Sequence, residues 1–208
     1  MIHYLIGILT GWRMASRRAN CLRTWLPECD LLNIPAVFAF GSKDLLAPEL
    51  YGRALLLPCP DTYEELPQRT RWLCKWALGR DDWDYLLKCD DDTYVSALRL
   101  SEYQPKGEYV GCDYGSFCSG GAGYLISRKC VEIIADNMLA TRGAEDVIVG
   151  KTLHSHGVQL THDPRFISYG SDSLRPSTGN DFITAHRISD NTLDIIDKEI
   201  GIRSRFHI

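Results

Sequence analysis

The chain has 208 residues, 45% hydrophobic and 24% charged, a composition that suits one soluble domain with a sizeable core. Its net charge of −4, from 23 basic and 27 acidic residues, argues against a polyanion-binding surface and so against nucleic acid as a partner. The eight cysteines form no CxxC pair, and Cys74, Cys89 and Cys130 fall in apolar periodic stretches, the pattern of buried free thiols rather than of a zinc site.

In chain order, MIHYLIGILTGW lacks a basic leader and meets Gly11 and Arg13 too early for a signal peptide or a membrane span. It fits a first buried strand. SRRANCLRTWL is helical, with Arg13, Arg17 and Arg18 expected on a solvated face or as a small phosphate contact, and PAVFAF is a second strand, broken at Gly41. RALLL near residue 55 is a third. Leu66, Arg69, Leu73, Cys74 and Ala77 then repeat at three and four, predicting a helix that tolerates Pro67 in its first turn and ends near Gly79. WDYLLKC is a strand that stops at an acid cluster, and EYVGC and AGYLIS are further strands. Ser127 caps a helix with Val131, Ile134 and Met138 on one face, and a second helix runs from Glu145 to about His154. DFITAH is a strand, after which Ser189 or Asp190 starts a closing helix with Leu193, Ile196 and Ile200 inward and Gly201 at its end. Apolar runs alternating with amphipathic ones predict an α/β fold, one domain over 1–208, with a mixed, mostly parallel sheet between helices.

The most informative stretch is YLLKCDDDTYV, Tyr85 to Val95, where an apolar strand runs into Asp90, Asp91 and Asp92. Adjacent carboxylates repel, so something positive is expected among them. Ligands of open α/β sheets bind at the carboxyl ends of strands, and hard divalent cations prefer carboxylate oxygens while keeping positions open for phosphate. A DxD of this kind therefore suits a metal-bridged nucleotide diphosphate. A solvated acidic loop, or an Asp capping the short helix at SALRL, explains the same residues without a ligand. The haloacid-type phosphatase pattern DxDxT fails by one position, because Thr93 directly follows Asp92.

Three further stretches surround KCDDDTYV: RRANCLRTW at 17–25, FCSGGAGYLISR at 117–128 and AEDVIVG at 144–150. Together they resemble the Fringe and beta-1,3-galactosyltransferase-like family of inverting glycosyltransferases, and PDTYEELPQRT resembles that family's Tyr-x-Asn-Leu-Thr segment. The resemblance spans roughly residues 3 to 190. It departs at Leu22, where many members have Arg, at Arg69 in place of Lys and at Pro67 in place of Thr.

The resemblance implies a GT-A fold, a UDP-sugar donor, a saccharide or glycoconjugate acceptor and dependence on Mn2+ or Mg2+. It makes Asp146 the catalytic base, Asp92 and His186 the metal ligands, and Asp90 and Asp91 neighbours of the ribose and sugar of the donor. Thr10 and Arg13 would seat the uridine at the end of the first strand, and Arg69, Lys88, Gly120 and Gly121 complete the donor site. An amino-terminal position on a helix favours the carboxylate form of Asp146, although acids are common first-turn residues without any catalytic role. Gly120, Gly121 and Gly123 suit either the close approach of a ligand or a tight turn. Trp72, Trp76 and Trp83 fit core or helix-face positions, and His154 and His156 fit the surface. A carbohydrate-binding protein without catalysis and a metal-dependent phosphohydrolase are the competing readings. The expected location is the cytoplasm, as for a bacterial or viral enzyme, or the Golgi lumen for a trimmed catalytic domain.

Overall fold

The computed structural model describes residues 2–168 and 181–187; the closing helix expected from Ser189 or Asp190 lies outside them. Its strands are β1 Tyr4–Leu9, β2 Ala36–Gly41, β3 Glu49–Tyr51, β4 Ala54–Leu57, β5 Tyr85–Asp90, β6 Thr93–Val95, β7 Tyr109–Gly111, β8 Tyr124–Ser127, β9 Leu160–His162, β10 Phe166–Ile167 and β11 Thr184–His186. Its helices are α1 Ala15–Arg23, α2 Leu26–Leu31, α3 Leu66–Leu78, α4 Ala97–Glu102, α5 Arg128–Asn137 and α6 Glu145–Ser155.

Eight strands form one sheet in the order β3-β4-β2-β1-β5-β8-β7-β9. The stretch β4-β2-β1-β5 is parallel, and β8 runs antiparallel to both its neighbours. The chain moves outward from β1 to β2 and β4, then returns to place β5 on the other side of β1. That reversal leaves a crevice outside the carboxyl ends of β1 and β5, the position where doubly wound sheets hold ligands. Register makes the placement specific, because Leu9 pairs with Asp90 and so Thr10 faces the acid cluster.

All six residues of β1 are buried, as expected of a strand covered on both faces. Tyr4, Ile6 and Ile8 enter a core layer with Cys21, Trp25 and Leu26 from the α1–α2 region and Leu100 from α4. Leu5 and Leu9 point the other way, to Leu73 and Cys74 of α3, Val131 and Ile134 of α5, and Val149 of α6. Gly7 shares this second face because a Cβ there would stand 2.4 Å from Leu73 Cδ2. A second, three-stranded sheet, β10-β11-β6, lies beyond the acid cluster and carries His186 on its middle strand.

Several local expectations hold in detail. The Ser127 side chain accepts a hydrogen bond from Cys130 N at the start of α5, and α3 carries Pro67 in its first turn and ends at Gly79. The single helix expected over SRRANCLRTWL is instead broken at Thr24 and Trp25, since Pro27 cannot sit in a continuing helix interior and instead occupies the first turn of α2. Trp83 is buried, whereas His154 and His156 are exposed. All eight cysteines are free thiols. Among the described residues no helix is long and apolar enough to cross a membrane.

Candidate active site

A cleft of about 1570 Å³ opens over the β1–β5 crevice. Thr10, Arg13, Arg69, Lys88, Asp90, Asp91, Asp92, Gly120, Gly121, Asp146 and His186 all line it, so the fold brings together every residue singled out from the sequence. They do not play equivalent parts.

Lys88 serves Asp90, and Arg17 is shared between Asp91 and Asp92. Lys88, which is 2% exposed, sets Nζ 3.0 Å from Asp90 Oδ1, 3.1 Å from Glu145 Oε2 and 3.1 Å from the Gly120 carbonyl. Those three acceptors match its three N–H donors, so Lys88 acts through the groups it holds. Burial alone would lower its pKa, but Asp90 and Glu145 outweigh burial and raise it. Asp91 turns toward β1, accepting from Thr10 Oγ1 at 2.6 Å and from Arg17 Nη1 at 3.2 Å. Burial pushes the Asp91 carboxyl up despite these partners. Asp92 is only partly buried, and the His186 ring and the Arg17 guanidinium outweigh that desolvation and hold it below the ordinary carboxylate value.

The chemistry of Asp90, Asp92 and His186 fits a divalent cation. Each offers a ligand atom, and the three atoms lie within 4.8 Å of one another. His186 Nδ1 faces the Ser168 carbonyl at 3.0 Å, and a carbonyl only accepts, so Nδ1 carries the proton. Nε2 faces Asp92 Oδ1, 3.1 Å away, an oxygen that is buried and makes no hydrogen bond. Positive charge between the two atoms, a proton on Nε2 or a shared divalent cation, satisfies both of them. Their separation is close to the ~3 Å edge between neighbouring ligands of an octahedral ion of the magnesium or manganese kind.

The proposed base stands beside this group. Asp146, in the first turn of α6, accepts from Gly120 N at 3.1 Å and from its neighbour Val147 N at 2.9 Å. Gly121 follows directly. A Cβ on Gly121 would lie 2.2–2.6 Å from the His186 ring, and one on Gly120 would lie 3.0 Å from Glu145 Oε2 and 3.2 Å from Lys88 Nζ. Close approach therefore accounts for these two glycines, and Gly123 combines a close approach to the Lys88 carbonyl with a turn at φ +80°. One dipeptide thus spaces Asp146 from the cation ligands.

Arg69 is buried and braces the cleft wall, donating to the Thr10 carbonyl at 2.6 Å and pairing with Asp61 at 2.9 Å. Asp61 also accepts from Trp12 N and Gly41 N, tying the ends of β1 and β2 to α3. Arg13 is exposed at the rim. The basic run is not a solvated face. Arg18 caps the β1 turn through the carbonyls of Gly11 and Trp12, and Arg17 pairs with Asp91 and Asp92. Arg17, Asp61 and Glu145 were not among the residues expected at the site, yet each lies inside a motif that signalled it: RRANCLRTW, PDTYEELPQRT and AEDVIVG.

No family model matches the chain. It is 28% identical to mouse beta-1,3-galactosyltransferase 6 over 90% of its own length and 69% of the relative's. It is 23% identical to hydroxyproline O-galactosyltransferase GALT5 of Arabidopsis thaliana and 30% identical to that plant's probable beta-1,3-galactosyltransferase 13, over 81% and 51% of its length. The chain spans only 32% and 37% of those two plant proteins. Among solved structures, a glycosyltransferase involved in glycosylation of the major capsid of PBCV-1 matches at TM-score 0.56 and 12% identity, covering 96% of this chain and all of that one. A Drosophila beta-1,4-galactosyltransferase 7 variant, solved with manganese, UDP-Gal and xylobiose, matches at TM-score 0.52 and 12% identity over 91% of this chain and 73% of that one. Sequence and architecture point the same way: the chain is similar to beta-1,3-galactosyltransferase-like glycosyltransferases and has a GT-A-type fold.

Proposed function

We propose that the protein is an inverting galactosyltransferase: it moves a hexose, galactose in the first instance, from a UDP-sugar to a hydroxyl of a saccharide acceptor, forming a beta-1,3 linkage. The observation that carries the reading is the Gly120–Gly121 dipeptide, which holds Asp146 on one side and packs His186 on the other. Asp146 takes the proton of the acceptor hydroxyl as its oxygen attacks the anomeric carbon. The bond from that carbon to the diphosphate breaks, and UDP leaves. Asp90, Asp92 and His186 would hold a divalent cation, which would supply charge neutralisation at the departing diphosphate in place of a proton donor.

The acids available support inversion. A retaining route by double displacement uses a carboxylate nucleophile beside the base, and the adjacent Glu145 is 4% exposed and held by Lys88, Thr70 and Tyr124. Only Asp146 of that pair is open to a substrate. Manganese in the Drosophila relative's structure, together with UDP-Gal and xylobiose, makes these the first cation, donor and acceptor to try.

The test is transfer and hydrolysis of UDP-Gal and other UDP-sugars with Mn2+ and a panel of saccharides, read by mass spectrometry. Asp146→Asn is expected to slow transfer about a hundredfold or more while leaving uridine nucleotide affinity near that of the parent. A parent protein that neither binds nor turns over any UDP-sugar ends this reading. An Asp146→Asn variant that transfers at the parental rate moves the chemistry elsewhere.

A further inference from the structure

The nitrogen groups that face the acid cluster differ in how firmly they are held. Lys88 is enclosed, with three protein acceptors. His186 is fixed by the Ser168 carbonyl and by contact with Gly121. Arg17 is neither. Its side chain is 46% exposed on the first turns of α1, and it reaches the cluster through one nitrogen, Nη1, placed 3.2 Å from Asp91 Oδ1 and 3.2 Å from Asp92 Oδ2. Charge-assisted bonds of the firm kind are shorter, about 2.7–2.9 Å, and arginine forms them best as a two-nitrogen fork. Arg17 makes neither kind of contact here.

We infer that Arg17 is an internal stand-in for the divalent cation, occupying Asp92 while the cleft lacks nucleotide and turning its guanidinium onto the diphosphate when a metal-bound nucleotide arrives. The inference rests on the proposed function for its second half only. Asp92 is the shared point: Oδ2 faces Arg17, and Oδ1 faces His186 across the gap that fits a cation. A guanidinium and a divalent ion on one carboxylate repel each other, so one entering weakens the other. Asp91, the other partner of Arg17, is also held by Thr10 and so keeps a donor when Arg17 departs. The planar fork that Arg17 leaves unused at the acids matches two oxygens of a phosphate. Since the side chain lines the cleft and is half exposed, the move needs a change of rotamer and no change of backbone.

The experiment is calorimetric titration of the full chain with Mn2+ alone, and with UDP at saturating Mn2+, comparing the parent with Arg17→Gln and Arg17→Lys. Thermal melts establish that the variants fold. Arg17→Gln is expected to bind Mn2+ alone more tightly, about three- to tenfold, because one competing charge is gone, and to bind UDP with Mn2+ at least about tenfold more weakly. Arg17→Lys keeps the charge, so its affinity for Mn2+ alone should stay near the parental value. Unchanged or weaker Mn2+ binding by Arg17→Gln overturns the stand-in role, even if UDP binding falls, since that pattern describes a plain phosphate contact. A parent that binds Mn2+ but no uridine nucleotide ends the transferase reading, while the Mn2+ comparison still decides whether Arg17 competes for Asp92. A parent that binds no Mn2+ overturns both.

Discussion

Glu145 and Asp146 are adjacent in sequence and opposite in role, and the difference lies in which side of α6 each begins from. Glu145 points inward, where Lys88, Thr70 and Tyr124 hold it, and Asp146 borders the cleft. Because Lys88 is enclosed between Asp90 and Glu145, replacing it by Met leaves a buried carboxylate without its cation. Such losses cost about 3–5 kcal/mol, so Lys88→Met should lower the midpoint of thermal unfolding by roughly 10 °C. A drop of only a degree or two would show that Glu145 is neutralised by other means. Gly121→Ala tests the other wall. Its Cβ would press on the His186 ring at 2.2–2.6 Å, so Mn2+ affinity should fall about ten- to a hundredfold while the overall circular dichroism is retained. At this scale the sequence exposed the need for positive charge at Asp90–Asp92, and the family resemblance, not spacing, named His186 beside Asp92 and left out Arg17. Arg17 and His186 lie 75 and 94 residues from Asp92, and no local spacing reports a partner so far along the chain.

Among elements, the strands predicted from apolar runs are β1, β2 and β5, each of six residues, together with the shorter β4, β7, β8 and β11. Missing from the prediction are β3, β6, β9 and β10, of two or three residues, too short to show alternation and defined by what they pair with. That omission matters because β6 and β10 flank β11, the strand that carries His186. The small sheet is pinned by Asp163 just before β10. Its carboxylate accepts from Arg165 Nη2 and from Tyr103 Oη, each at 2.7 Å. Burial would raise the Asp163 pKa, but these partners outweigh it and bring it from 3.8 to about 2. The depressed carboxylate stabilises the fold fully above about pH 4, and the contribution disappears as pH falls toward 2. Arg165 is 35% exposed, so solvent screening reduces the contribution to about 1 kcal/mol. Chemical denaturation at a series of pH values should show this loss in the parent and a flatter curve in Asp163→Asn. Equal slopes would place the acid sensitivity elsewhere.

For the molecule as a whole, the alternation of apolar and amphipathic runs was enough to predict helices on a mostly parallel sheet, because strands covered on both faces cannot alternate with polar residues. The same runs could not reveal the reversal that puts β5 beside β1 rather than beyond β4, and that reversal makes the cleft. Sheet and helices enclose seven of the eight cysteines, leaving Cys112 partly open. Burial pushes the thiols of Cys21 and Cys118 up to about 12 and that of Cys59 up to about 11, so few thiolates form near neutral pH. Reaction with a thiol-specific disulfide reagent at pH 8 should therefore give about one fast equivalent, from Cys112, with the others following only as the core opens. Unfolding in guanidinium without reductant should release all eight, matching the free thiols of the fold. Cys112→Ser should remove the fast phase and leave seven. Several fast equivalents in the parent would mean that the two core layers admit reagent, and hence that the packing around β1 and β5, on which the cleft geometry depends, is looser than their buried side chains indicate.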